Sequence, residues 1–161
     1  MNKRTRKKWL KKQGLYINTK EMMNLDCNIA KYILPRLKMY KKLTIAYPGY
    51  DEANTPEKWD IVVSNPPFSI KDKVLDRLYS FSKPFAVLLP LNSLQGKSRY
   101  KYFKQGVQIL SFDARVCYHD KNHMNVVVKG SPFATAYFCK DLLPKDLIVE
   151  KLNVYERPLI N

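Results

Sequence analysis

The chain has 161 residues, enough for one domain that buries roughly two thirds of the surface its unfolded form exposes, and 45% apolar with 12% aromatic residues argues against disorder. Its formal net charge of +15 points to anionic partners, nucleic acid first. Cys27, Cys117 and Cys139 form no CxxC pair, His119 and His123 are the only histidines, and no apolar run approaches membrane-spanning length, so the composition predicts no metal, no disulfide scaffold and no membrane partner.

The charge is unevenly spread. Residues 1–42 hold 13 Lys/Arg against Glu21 and Asp26, a net +11, whereas residues 43–161 hold 16 against 12, a net +4. The first twelve residues concentrate Lys3, Arg4, Arg6, Lys7, Lys8, Lys11 and Lys12 around Trp9 and Leu10. Such a run repels itself when free and gains most by neutralising phosphates and releasing their counterions. These seven side chains are the candidate nucleic-acid contacts, with a solubilising tail as the alternative reading. The stretch lacks the apolar core of a signal peptide, and a cytoplasmic location is the expectation.

From Asn24 onward Leu25, Ile29, Ile33, Leu37 and Tyr40 recur at three- and four-residue spacing, which predicts an amphipathic helix that Pro35 divides. Leu43 to Tyr47 is a short β-compatible run, followed by a polar loop over 51–58. Residues 1–58 are thus a basic arm and helical module, and 59–161 a second unit.

That second unit begins with Trp59-Asp60-Ile61-Val62-Val63-Ser64-Asn65-Pro66-Pro67-Phe68. The apolar run reads as a buried strand. It must stop at Asn65, because proline lacks an N–H and pushes its predecessor out of the helical region. Open α/β sheets bind ligands at such carboxyl ends. A carboxamide on a stiff turn, with an aromatic ring three residues on, suits a flat polar group such as an amino-substituted base.

Ser69 is placed to cap a helix through Val74, Leu75, Leu78 and Phe81, ended by Lys83-Pro84, with Asp72 in its first turn. Phe85 to Leu91 is a second buried strand, so strand, helix and strand make a right-handed parallel crossover. Asn92-Ser93-Leu94 then falls on the same sheet edge as Asn65. A helix through Tyr100 and Phe103 ends near Gly106, Val107 to Phe112 is a third strand and Phe133 to Cys139 a fourth. The polar segment between these last two predicts a loop joining an antiparallel pair, with both histidines exposed on it. Residues 141–161 read as a tail packing back through Leu142, Leu147, Ile148 and Leu152.

Asp60-Ile-Val-Val-Ser-Asn-Pro-Pro-Phe68 resembles the catalytic motif of S-adenosylmethionine-dependent amino-group methyltransferases, above all the N6-adenine DNA enzymes with their (Asp/Asn/Ser)-Pro-Pro-(Tyr/Phe/Trp) signature. The approach to the last strand, Ser131-Pro132-Phe133-Ala134-Thr135, is similar to that family as well. The resemblance covers residues 59–140. It implies an α/β fold with a partial Rossmann-like methyltransferase sheet, parallel strands plus an antiparallel final pair, behind an N-terminal basic helical segment. It also implies catalytic roles for Asn65, Pro66, Pro67 and Phe68: carboxamide and proline carbonyl hydrogen-bond the target amino group, and the ring stacks on a flipped adenine. The implied cofactor is S-adenosylmethionine. Here the chain departs from the family, since its five glycines are all isolated and no strand ends in a Gly-rich turn, so no cofactor-binding residue is assigned. The segment from Asn24 to Lys38 resembles a short module of bacterial-virus proteins, which implies a phage-encoded protein in a bacterial host. The alternative is a catalytically inactive methyltransferase-derived binding or inhibitor protein, such as a counter-defence factor. With four predicted strands and a fifth over Leu43 to Tyr47, the strand edge beside Ile61–Ser64 is expected to be bare, favouring a homodimer or another chain that covers it.

Overall fold

The computed structural model describes residues 15–16, 27–33, 43–46, 60–119, 127–128 and 132–152. The chain forms β1 (Leu15–Tyr16), α1 (Cys27–Ile33), β2 (Leu43–Ala46), β3 (Ile61–Ser64), α2 (Lys71–Ser80), β4 (Phe85–Pro90), α3 (Lys97–Phe103), β5 (Gln108–Phe112), β6 (Tyr118–His119), β7 (Val127–Val128), β8 (Thr135–Lys140) and β9 (Leu147–Glu150). Short 3₁₀ turns at Phe68–Ile70 and Leu91–Leu94 follow β3 and β4. The architecture is mixed α/β. One seven-stranded sheet has the order β1-β2-β3-β4-β8-β5-β9, and β6 and β7 form a separate two-stranded ribbon.

The central strands are buried along their whole length, as the uninterrupted apolar runs of β3 and β4 require of strands covered on both faces. β1 through β4 run parallel, with Val62 beside Phe85 and Ser64 beside Val87. β8 lies antiparallel between β4 and β5, pairing Phe85 to Pro90 with Lys140 to Thr135 and Gln108 to Leu110 with Cys139 to Tyr137. Side-chain alternation then builds two cores. Ile61, Val63, Ala86, Leu88, Leu110, Tyr137 and Cys139 face α1, which inserts Ile29 and Ile33 one turn apart. Val62, Phe85, Val87, Leu89, Ile109, Ala136 and Phe138 face α2 and α3, which contribute Val74, Leu75, Leu78, Tyr79 and Tyr102.

Several expectations are corrected. The edge beside Ile61–Ser64 is not bare: β2 pairs with β3 in parallel and β1 with β2, so an open edge there gives no reason for a second copy. Segments from both sides of residue 58 therefore share one sheet. Ser69 does not cap α2. It lies in the 3₁₀ turn, and the helix starts after Ile70 without a side-chain cap. α2 ends at Ser80 with Phe81 as its C-cap, and Ser82, whose φ of 53° takes the left-handed position that usually follows a helix, comes ahead of Lys83-Pro84.

The segment between β5 and β8 is not wholly a loop, because β6 and β7 pair there and place His119 in a strand. The pairing of β5 with β8 is as expected, but β8 is inserted next to β4 and the chain continues into β9, parallel to β5. Leu142 is buried as expected, whereas Leu147 is 62% exposed, because β9 is an edge strand. The Gln108 side chain makes that return possible. Its Oε1 accepts from the backbone N–H of Leu142 and Leu143 at 2.9 Å each, and its Nε2 donates to the Leu143 carbonyl at 2.8 Å. The basic arm, Pro35, the polar loop over 51–58 and His123 lie outside the described residues.

Candidate functional site at the carboxyl edge of the sheet

Three chain segments meet at one edge. β3 ends at Ser64 and delivers Asn65, β4 ends in the turn Leu91–Leu94, and the antiparallel β8 begins there, with Pro90 opposite Thr135. The backbone N–H of Leu91 donates to the Ala134 carbonyl at 2.8 Å, tying the approach to β8 against the end of β4.

Within the motif the four residues divide their work. Pro66 is buried and anchors the turn, whereas Asn65 and Pro67 are exposed and Phe68 is half-buried against the α2–α3 core. Pro67 sits at φ −55° and ψ 129°, an extended conformation that its ring enforces. The N–H of Ile70 returns to the Pro67 carbonyl at 3.1 Å, and Lys71 Nζ donates to the Phe68 carbonyl at 3.3 Å. Asn65 is thus presented to solvent on a backbone with little freedom. Its carboxamide can accept and donate at once.

Phe133, 49% exposed, stands edge-on to Phe68 with ring centroids 6.4 Å apart and an interplanar angle of 89°. The expected site residues do not include it in any role. Only the Ser131-Pro132-Phe133-Ala134-Thr135 approach hinted at it, because the two rings lie far apart in the chain and the insertion of β8 alone brings them together. The pair gives the turn an aromatic corner that begins three residues after Asn65.

Arg99 holds the neighbouring turn. Its Nε donates to the Ser93 carbonyl at 2.7 Å, its Nη2 to the Gln95 carbonyl at 2.6 Å and its Nη1 to Asp72 Oδ1 at 3.0 Å. One guanidinium therefore fixes the end of β4, the start of α3 and the first turn of α2. Gly96 leaves room for this fork: a Cβ there would lie 2.4 Å from Arg99 Nη2 and push the guanidinium aside. The Ser93 hydroxyl is fully buried and has no hydrogen-bond partner among the described residues.

The groups whose proton affinity the fold shifts most lie away from the motif. Burial, aided by the charge of Asp141, raises the Tyr79 phenol to about 12, and its hydroxyl donates to the Gly106 carbonyl at 2.9 Å. Burial alone drives the Cys139 thiol far up. On the opposite flank, burial and the hydrogen bond to Glu150 raise Tyr32 to about 12. Burial works to raise Glu150, but hydrogen bonds from Lys31 and Tyr32 and the charge of Lys31 carry it below the usual carboxylate range.

The motif therefore offers hydrogen-bonding geometry and stacking surface instead of a tuned acid or base. Among the described residues no three His, Cys, Asp or Glu side chains gather to hold a metal ion, and no helix is long and apolar enough to cross a membrane. Comparison of the chain with protein-family models, with curated proteins and with solved structures gives no match.

Proposed function

We propose that the chain is an N6-adenine DNA methyltransferase-like protein whose carboxyl-edge site holds an adenine by its exocyclic amino group. The observation that carries the reading is the exposed Asn65 on a proline-stiffened turn that leads, three residues on, into the Phe68–Phe133 corner. Asn65 accepts one amino hydrogen and the Pro66 carbonyl the other, which orients the nitrogen lone pair. The rings take the base face and edge. Parallel strands with helices on both faces, and a ligand edge at their carboxyl ends, support a Rossmann-like methyltransferase sheet as the frame.

The described residues do not fit the expected S-adenosylmethionine site. Of their two glycines, Gly96 lies under the Arg99 guanidinium and Gly106 occupies the turn before β5, so neither ends a strand in a Gly-rich cradle. These residues therefore support base binding and no methyl-transfer step. The same observation favours a second reading, a methyltransferase-derived binding or inhibitor protein that keeps adenine recognition and has lost the chemistry.

The test compares single-stranded oligonucleotides containing adenine with ones containing purine, which lacks the amino group. Two neutral hydrogen bonds of about 1 kcal/mol each predict a roughly thirtyfold preference for adenine, which Asn65→Ala lowers about fivefold because the Pro66 carbonyl remains. Equal affinity for the two bases in the unaltered protein rejects adenine recognition. Adding radiolabelled S-adenosylmethionine separates the readings. Label transferred to DNA identifies the enzyme, and retained preference without transfer identifies the binding protein.

A further inference from the structure

The positive charge beyond residue 42 is not evenly spread. Residues 71–104 hold eight Lys/Arg against Asp72 and Asp76, a net +6, whereas the remaining residues of 43–161 hold eight against ten, a net −2. The excess therefore lies on the layer formed by α2 and α3. The two helices lie side by side: Asp72 meets Arg99 at 3.0 Å, Asp76 accepts from the Tyr102 hydroxyl at 2.8 Å, and Tyr79 stacks on Tyr102 with ring centroids 5.5 Å apart.

Those contacts decide what the surface presents. A helix whose charges serve only solvation balances cations with carboxylates one turn away. Here both carboxylates are spent within the seam between the helices, Asp72 on Arg99 and Asp76 on Tyr102 and Lys101. α3 itself carries no acidic residue. Lys73, Lys97 and Lys104 are exposed, and none has a carboxylate within ion-pair distance among the described residues. Lys97, Lys101 and Lys104 recur at the i, i+4 and i+7 spacing of one helix face, spanning about 10 Å. Over that length duplex DNA presents about six phosphate charges. Tyr100 adds a hydroxyl beside the row, is 68% exposed, and has Lys104 Nζ 5.7 Å from its ring.

We propose that the outer face of α2 and α3 is a docking surface for the phosphate backbone of duplex DNA, with Lys73, Lys97 and Lys104 as its principal contacts. It deepens the nucleic-acid reading above and rests on residues other than those of the arm. α2 starts one short turn after Phe68 and α3 shortly after Leu94, so the surface adjoins the Asn65 edge. Backbone contacts here set where the duplex lies relative to that edge and carry no base preference.

The test is the salt dependence of binding to a fluorescently labelled duplex, measured by anisotropy with the full chain. Each phosphate contact adds about 0.9 to the slope of log affinity against log salt, so the triple variant Lys73→Gln/Lys97→Gln/Lys104→Gln lowers the slope by about 2 to 3. Lys73→Arg/Lys97→Arg/Lys104→Arg retains it, which separates loss of charge from loss of fold. Lys145→Gln/Lys151→Gln, exposed on the β9 flank, leaves it unchanged. An unaltered slope in the Gln triple, or an equal drop in the β9-flank variant, overturns the proposal. A Gln triple impaired only toward an acidic polypeptide such as polyglutamate overturns it too, in favour of a protein partner. The adenine preference of the oligonucleotide test is read independently of this slope, so either proposal can fail alone.

Discussion

The two faces of the sheet are built in different ways. The α2–α3 face is made of consecutive pieces, since β3, α2, β4, α3 and β5 follow one another and their packing partners lie within a few dozen residues. It is also dense in rings: Tyr79, Phe85 and Tyr102 form one chain of contacts, and Phe103 packs on Phe138 at 5.6 Å. The α1 face uses the alternate residues of the same strands but is covered by elements from far apart in the described chain. Lys31 and Tyr32 of α1 meet Glu150 of β9, more than a hundred positions later. One face is thus held by local crossovers and aromatic packing, the other by a short helix and a polar clasp. Robustness should follow locality.

Truncating Phe138 to Ala is the most severe way to probe that difference. Its side chain is wholly buried in the α2–α3 core, and the substitution should cost about 3–5 kcal/mol in urea unfolding. Ile29→Val on the other face should cost about 1 kcal/mol. A loss below that of Ile29→Val would end the argument for an aromatic core. Next comes Arg99→Ala, which takes the donor from three acceptors at the seam and should cost about 2 kcal/mol. Arg99→Lys should recover less than half of it, since an ammonium cannot reproduce the fork. Gly106→Ala sharpens the comparison without touching packing. Nothing lies within 4 Å of the added methyl, so a loss of about 1 kcal/mol would report only the φ of +102°.

The smallest effects are pH-dependent, with one probe per face. Tyr79 and Tyr32 are raised from 10.0 to about 12, so each folded phenol holds its proton more tightly than the unfolded one. The stability this represents is complete below pH 10 and is lost as pH rises toward about 12. Tyr79→Phe and Tyr32→Phe should each remove one late step from an alkaline absorbance titration. Glu150 works in the opposite direction. Its folded value is lowered, so its contribution is present above the usual carboxylate range and fades as pH falls through the folded value. Acid titration of Glu150→Gln should lack that component, and amide exchange in α1 should report it.

These faces differ in legibility for the same physical reason. β3, α2, β4 and α3 can be read from the sequence because apolar runs, helical spacing and Pro66, Pro67 and Pro84 mark them locally. The two-residue β1 and the ribbon of β6 and β7 are too short to carry a period. β9 carries the apolar run Leu147-Ile148-Val149, but three residues do not separate an edge strand from a packed tail, and Leu147 and Val149 lie exposed. At the site, Asn65 to Phe68 can be read and its partners cannot. Phe133 and the Arg99 fork depend on where β8 and α3 come to rest, which no local pattern encodes. The basic layer escapes a simple charge count because residues 1–42 dominate the total.

The placement of β8 also sets an order on assembly. Its six residues fill a slot between β4 and β5, both made earlier in the chain. During synthesis two strand edges must wait for residues 135–140, roughly 25 positions after β5 is complete, which at about 5–20 residues per second is on the order of seconds. Through that interval the Phe68–Phe133 corner does not exist, and open backbone on both sides invites pairing with a foreign strand. A sheet built this way stays open until nearly all of the described chain has emerged, and its period of greatest aggregation risk ends with a single insertion.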